Sequence, residues 1–200
     1  MIIIGLTGGI ATGKSTASSW FKERGITVVD ADACVAQLQR PGTPVFEAMV
    51  AAFGTAILNV DGTLDRKKLA QCIFADANKR QTLEHIVHPA VRRAFQARIA
   101  ACEDDVLVLD VPLLFEAGFD DLTTFNVVIH TKPETQRLRL MQRDGLSENA
   151  AELRIAAQLP LEEKIKRSDF AVANDGNVAQ LHAQLEQLLQ EVYKKDKVMR

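Results

Sequence analysis

Apolar residues in this chain fall into short, β-branched runs separated by helix-length stretches of mixed polarity. Ile2-Ile3-Ile4 with Leu6 is apolar on both faces, the pattern of a parallel strand covered on each side. Thr27-Val28-Val29, Val106-Leu107-Val108-Leu109, Phe125-Asn126-Val127-Val128-Ile129 and Phe170-Ala171-Val172-Ala173 read as four further strands. Lys14 to Arg24 is helix-like and stops at Gly25. Strands alternating with helical stretches predict an α/β fold around a mostly parallel sheet.

The interval between the second and third strands is too long for one crossover helix. Within it, Thr43 can cap a helix with Pro44 at its first position; Val45, Phe46, Met49, Val50 and Phe53 form its apolar stripe, and Gly54 ends it. An Asp61-Gly62 turn follows, and Asp65 can cap a helix carrying Leu69, Cys72 and Ile73. A further helix is predicted from about Asn78 to Val87, with Pro89 starting a new one. Glu134 to Arg167 contains seven basic residues and reads either as a solvated helix pair or as a lid facing an anion. Val178, Leu181, Leu185, Leu188 and Val192 recur at 3-4-3-4 spacing, which predicts one amphipathic helix packed on the sheet, with Lys194 to Lys197 frayed beyond it. The predicted organisation is a core of residues 1–34, 105–134 and 168–200, a helical insertion at 35–104 and a lid at 135–167. Insertions after early strands commonly carry substrate specificity, because function concentrates in the segments at strand ends.

Composition narrows the possibilities. The 200 residues suit one domain with an insertion. With 24 Lys+Arg against 26 Asp+Glu there is no basic excess, so a nucleic-acid partner is not expected. No apolar run approaches the roughly 18 residues of a membrane span. Met1 leads directly into the first strand, so no signal peptide is expected. Cys34, Cys72 and Cys102 are widely spaced and form no CxxC pair; reduced thiols in a cytoplasmic protein are expected rather than a zinc or disulfide framework.

The chemistry centres on Gly8-Gly9-Ile10-Ala11-Thr12-Gly13-Lys14-Ser15, which matches GxxxxGK[ST] between a predicted strand and a predicted helix. Glycines let backbone N–H groups approach phosphate oxygens, and the helix start adds its own N–H groups and dipole. In this motif the lysine, here Lys14, reaches the β- and γ-phosphates, and the hydroxyl, here Ser15, can coordinate Mg²⁺. Ile10 stands where a dinucleotide-binding loop needs its second glycine. The base-reading NKxD element of a switch GTPase is absent, which leaves a small-molecule kinase with a lid.

Asp30 and Asp32 close the second strand, where a carboxylate can accept the proton of a hydroxyl acceptor; the same pair could instead cap a helix. Asp110 ends the Val106 run in the position of a metal-anchoring acid. Arg139 and Arg143 lie four apart on one helix face, turned either toward a transferred phosphoryl group or toward solvent. His88, before Pro89 at a predicted helix start, reads as a local hydrogen-bonding residue or as a substrate contact.

Taken together, LTGGIATGKST at 6–16, VDAD at 29–32, DGTLDR at 61–66 with Ile73-Phe74, His88-Pro89, DVPLLFE at 110–116, the Gln136 to Arg143 segment with Gln158 beyond it, and the Asn174-Asp175-Gly176 turn resemble the dephospho-CoA kinase family over nearly the whole chain. The resemblance implies a P-loop NTPase-type parallel sheet flanked by helices, with a helical substrate-binding insertion and a helical lid. It implies transfer of the ATP γ-phosphate to the 3′-hydroxyl of dephospho-CoA, giving CoA and ADP, with Mg²⁺ as cofactor. Catalytic roles would fall to Asp32, Lys14 and Arg139. Gly9, Ala11, Thr12, Gly13, Lys14, Ser15 and Thr16 would hold the ATP phosphates, with Arg143 in the lid and Asn174 and Gly176 near the adenine. Asp32, His88, Leu113, Leu114 and Glu116 would meet the acceptor, and Ser15 and Asp110 the metal. Ala11 stands where the family usually has glycine; its methyl group is tolerated at negative φ, so a negative φ and a small effect on affinity are expected. A monomer or weak homo-oligomer with a small-molecule substrate, acting in the cytoplasm, fits this reading. The alternatives are another small-molecule or nucleotide kinase on the same fold, and a non-catalytic nucleotide-binding regulator.

Overall fold

The computed structural model describes residues 1–74 and 76–199, and its contacts divide the chain into two compact units, 1–29 with 102–200 and 30–101. The second unit begins at Asp30, before the predicted start at 35, and ends at Ala101, inside the predicted end at 104; the lid helices belong to the first unit.

The first unit is built on strands β1 (Ile2–Gly8), β2 (Thr27–Asp30), β3 (Val106–Asp110), β4 (Phe125–His130) and β5 (Phe170–Ala173), in sheet order β2-β3-β1-β4-β5. β1 pairs in parallel with β3 on one side and β4 on the other, and β4 pairs in parallel with β5. This is the parallel α/β sheet that the alternation predicts. The chain steps from one side of β1 to the other between β3 and β4, so the crevice at the carboxyl end of β1 is a topological switch point, where ligands of such sheets bind.

Helix α1 (Lys14–Glu23) and the C-terminal helix, numbered α9 in chain order (Val178–Met199), cover one face of the sheet. Ile2, Ile4 and Leu6, alternate residues of β1, pack with Trp20 and Phe21 of α1 and with Leu181, Leu185, Leu188 and Val192 of α9. The predicted 3-4-3-4 stripe is therefore the face that α9 buries, and the helix continues past the expected fraying point to Met199. The lid region forms three short helices, α6 (Pro133–Asp144), α7 (Glu148–Ala156) and α8 (Leu161–Arg167), rather than a pair.

The second unit contains α2 (Ala31–Leu38), α3 (Pro44–Phe53), α4 (Arg66–Phe74) and α5 (Ala77–Ala100). Thr43 Oγ1 accepts from Phe46 N–H at 3.2 Å, and Asp65 Oδ1 accepts from the N–H groups of Lys67 and Lys68 at 3.0 Å, so both predicted caps form. The prediction of a break at Pro89 is corrected: α5 runs through it. The ring removes one intrahelical bond, but Val87, Ala90, Val91 and Phe95 continue one buried stripe across the proline, and that packing outweighs the local loss.

Among the described residues no helix is long and apolar enough to cross a membrane. No cysteine is in a disulfide there, and no cluster of three or more His, Cys, Asp or Glu is placed to hold a metal ion.

Candidate active site: a braced phosphate loop

β1 ends at Gly8 and α1 begins at Lys14, so the loop lies at the carboxyl end of the central strand. Gly13 at the α1 N-cap has φ +90° and makes no side-chain cap, which leaves N–H groups of the first turn directed at an incoming anion. Only glycine fits there. A Cβ on Gly13 would lie 2.1 Å from Asn174 Nδ2, besides adopting an unfavourable φ. Ala11 is the second left-handed residue, at φ +60°, against the negative φ expected for it. An alanine in this region costs about 1 kcal/mol relative to glycine, and it persists where the surroundings over-determine the backbone.

Those surroundings are side chains from distant segments. Asn174 Nδ2 donates to Thr12 C=O at 2.9 Å in a buried bond, Gln136 Nε2 donates to Ile10 C=O at 2.8 Å, and Ile10 N–H donates to Gln158 Oε1 at 2.8 Å. Thr12 closes the turn locally through Oγ1 to Gly9 C=O at 2.9 Å. Arg139 Nη1 donates to Asn174 C=O at 2.8 Å and so joins α6 to the same brace. Asn174, expected near an adenine, is 9% exposed and holds the loop. Asp175, next in the chain, accepts from Lys132 N–H at 2.8 Å and from Thr131 Oγ1; the backbone bond, with the hydroxyl second, holds its carboxyl below the usual carboxylate range. Arg143 is turned to Asp144, with Nε to Oδ1 at 2.8 Å and Nη2 to Oδ2 at 3.2 Å, and its side chain is 56% exposed.

Lys14 Nζ is ion-paired with Asp110 Oδ1, and their side chains are 17% and 7% exposed. The acid that the strand pattern assigned to a metal thus neutralises the loop lysine in this structure. Ser15 follows Lys14 with an exposed side chain, in the place the motif gives to the metal-binding hydroxyl. Lys14, Ser15 and Asp110 supply one cation and two oxygen ligands, a donor set that suits a magnesium–triphosphate pair.

Behind this pair lies a lysine the sequence did not single out. Lys164 of α8 is fully buried, with Nζ donating to Pro112 C=O at 2.7 Å and to Glu116 Oε1 at 2.9 Å. Thr7 Oγ1 donates to the same carbonyl at 3.0 Å, and Leu159 N–H to the same carboxylate oxygen at 3.1 Å. Burial pushes the Lys164 ammonium below the ordinary lysine value; the Glu116 carboxylate opposes this and Lys14 adds to it. In sequence Lys164 hides in a run of charges from Glu162 to Arg167, and only its three-residue spacing from Leu161 hints at a buried face. Of the acceptor candidates beside it, Leu113 is 43% exposed, whereas Leu114 is fully buried and serves the core.

In the second unit, Asp30 caps α2, its Oδ1 accepting from Ala33 N–H at 3.1 Å. Its carboxylate is committed to the helix, while Asp32 in the first turn is exposed. His88 lies on α5 in a groove of about 260 Å³ lined by Gln81, Glu84, His85, His88 and Pro89. Burial lowers the His88 pKa from its ordinary value, with Glu84 opposing and His85 adding to the shift.

A phosphate loop on the central strand of a five-stranded parallel sheet, followed by a helical lid, defines a P-loop phosphotransferase of the small-kinase type. The family model described as dephospho-CoA kinase matches residues 2–180. A dephospho-CoA kinase of Symbiobacterium thermophilum is 48% identical over 93% of this chain and 79% of its own length. Among solved structures, a Thermus thermophilus protein superposes with a TM-score of 0.84 at 35% identity, covering 95% of this chain and 97% of its own. The dephospho-CoA kinase of Campylobacter jejuni superposes with a TM-score of 0.72 at 29% identity, covering 97% and 98%. The chain belongs to the dephospho-CoA kinase family, whose members phosphorylate dephospho-CoA in coenzyme A biosynthesis.

Proposed function

We propose that this chain transfers the γ-phosphoryl group of ATP to the 3′-hydroxyl of dephospho-CoA, giving CoA and ADP. The observation that carries the reading is the phosphate loop itself. Its backbone at Ile10 and Thr12 is held by side chains from three other segments and its lysine by Asp110, in a chain whose family acts on this acceptor. In the reaction the bond between the γ-phosphorus and the β,γ-bridging oxygen breaks, a bond from the ribose 3′-oxygen to that phosphorus forms, and ADP leaves.

The residues divide the work. The N–H groups from Ala11 to Thr16 hold the phosphates, and Lys14 exchanges Asp110 for the β- and γ-phosphate oxygens. Asp110 and Ser15 would then hold Mg²⁺, which would supply charge stabilisation at the phosphates. Asp32 orients the 3′-hydroxyl and takes its proton. Carboxylates are weak bases at neutral pH, but in a loose phosphoryl-transfer transition state aiming the hydroxyl matters more than basicity. Arg139, held on Asn174, places a cation of α6 beside the loop. Arg143 serves the lid once it leaves Asp144. By the family resemblance, His88, Leu113 and Glu116 would contact the acceptor and Gly176 the adenine. An ATP-dependent step on a soluble cofactor precursor suits the cytoplasm.

The test is Asp32→Asn, which keeps the size and removes the base. We expect kcat to fall about 10²-fold or more with the KM for ATP within about threefold of wild type. Turnover close to wild type removes Asp32 from the reaction.

A further inference from the structure

Gln136 and Gln158 both end on the backbone of Ile10, one on its carbonyl and one on its N–H, each at 2.8 Å. The orientation of each amide follows from its partner. A carbonyl can only accept, so Gln136 presents Nε2; an N–H can only donate, so Gln158 presents Oε1. Gln136 comes from α6 and is 4% exposed; Gln158 follows α7. Room for the first bond is made by Gly9, where a Cβ would stand 2.6 Å from Gln136 Nε2. The residue after Ile10 is Ala11, a non-glycine residue at positive φ.

We propose that Gln136 and Gln158 are positioning residues that clamp Ile10 between α6 and the segment after α7, and thereby fix the Ala11–Ser15 N–H groups in the arrangement that binds nucleotide phosphate. The proposal rests on the reading of this loop as the ATP site. Ile10 lies past the end of β1, so no strand neighbour satisfies its backbone; the two amides do so instead. With either bond gone, the Ile10-Ala11 linkage is released to swing toward the negative φ that alanine prefers, and the following N–H groups turn away from their common centre. A clamp acting this way affects the nucleotide and not the acceptor.

The test uses the full chain and steady-state kinetics with ATP and dephospho-CoA, beside calorimetric titration with Mg·ADP. Gln136→Leu and Gln158→Leu are each expected to raise the KM for ATP about tenfold, with the KM for dephospho-CoA within about twofold of wild type. Glutamate substitutions separate donor from acceptor. Gln136→Glu cannot donate to the Ile10 carbonyl and is expected to be no better than Gln136→Leu, whereas Gln158→Glu still accepts from Ile10 N–H and retains more affinity than Gln158→Leu. The added charge is common to both positions, so the contrast between them reports the bond; should a leucine variant fail to fold, this contrast decides. Gly9→Ala displaces the Gln136 amide and is expected to match Gln136→Leu, the double variant being no worse than either single one. ATP KM values within twofold of wild type in all variants, with only the melting temperature lowered, overturn the clamp and leave a plain structural brace. A wild-type chain that gives no heat with Mg·ADP overturns the underlying nucleotide reading as well, so the two failures are told apart.

Discussion

Lys164→Met is the most informative perturbation of stability, because a full charge sits in the protein interior with only two acceptors, at 2.7 and 2.9 Å. Removing one partner of a buried ion pair typically costs about 3–5 kcal/mol. Here the loss is moderated: the Pro112 carbonyl keeps Thr7 Oγ1, and Glu116 keeps Leu159 N–H with its side chain still 23% exposed. Methionine also fills nearly the same volume without a buried charge. The expected loss is therefore about 2–3 kcal/mol, read as a downward shift of roughly 1 M in the midpoint of urea unfolding. Adding Glu116→Leu should not double the loss. With both charges gone, a coupling of at least about 1 kcal/mol is expected from the cycle. The pH dependence supplies a second readout. Burial places the folded pKa of Lys164 below the ordinary 10.5, so between those two values the unfolded chain binds more protons than the folded one. Wild-type stability should therefore rise relative to Lys164→Met as pH climbs toward 10.5. A midpoint unchanged within error, or strictly additive single losses, refutes the interior strut.

Two further outcomes concern the two units separately. Gly13→Ala adds a methyl group 2.1 Å from Asn174 Nδ2 at a φ of +90°, and should raise the KM for ATP at least about tenfold while the chain remains folded; a KM within twofold of wild type contradicts the close-approach argument. His88 has a folded pKa below its ordinary 6.5, so the folded chain binds fewer protons than the unfolded one and stability is lost as pH falls through 6.5 and below. His88→Gln should flatten that part of the acid limb, and an unaltered pH–stability curve removes His88 as a contributor.

The fold was legible in the sequence because each strand is a compact apolar run and several helices carry their own cap or stop. Thr43, Asp65 and Gly54 act within a few residues of themselves, where local physics suffices. Pro89 misled because its local effect, breaking a helix, is overridden by a buried stripe visible only once α5 packs against its neighbours. The phosphate loop was readable for the same local reason, but its bracing was not. Gln136, Gln158 and Asn174 reach Ile10 and Thr12 across 126, 148 and 162 residues of chain, and no spacing rule encodes such a contact. Lys164 was masked by its charged neighbours, since a buried ammonium and a solvated one look alike until burial is known. Ala11 shows the opposite case: the rule that alanine avoids positive φ is sound, and the surrounding hydrogen bonds overrule it.

The central claim is phosphoryl transfer to one hydroxyl of one acceptor. Purified protein incubated with Mg·ATP and dephospho-CoA, with ADP followed by a coupled assay and the product by phosphorus NMR, tests it most directly. The account predicts ADP formed in step with acceptor consumed, and a new phosphomonoester on the ribose 3′-oxygen. ADP released equally well without dephospho-CoA, or phosphate found on another acceptor while dephospho-CoA stays intact, contradicts it.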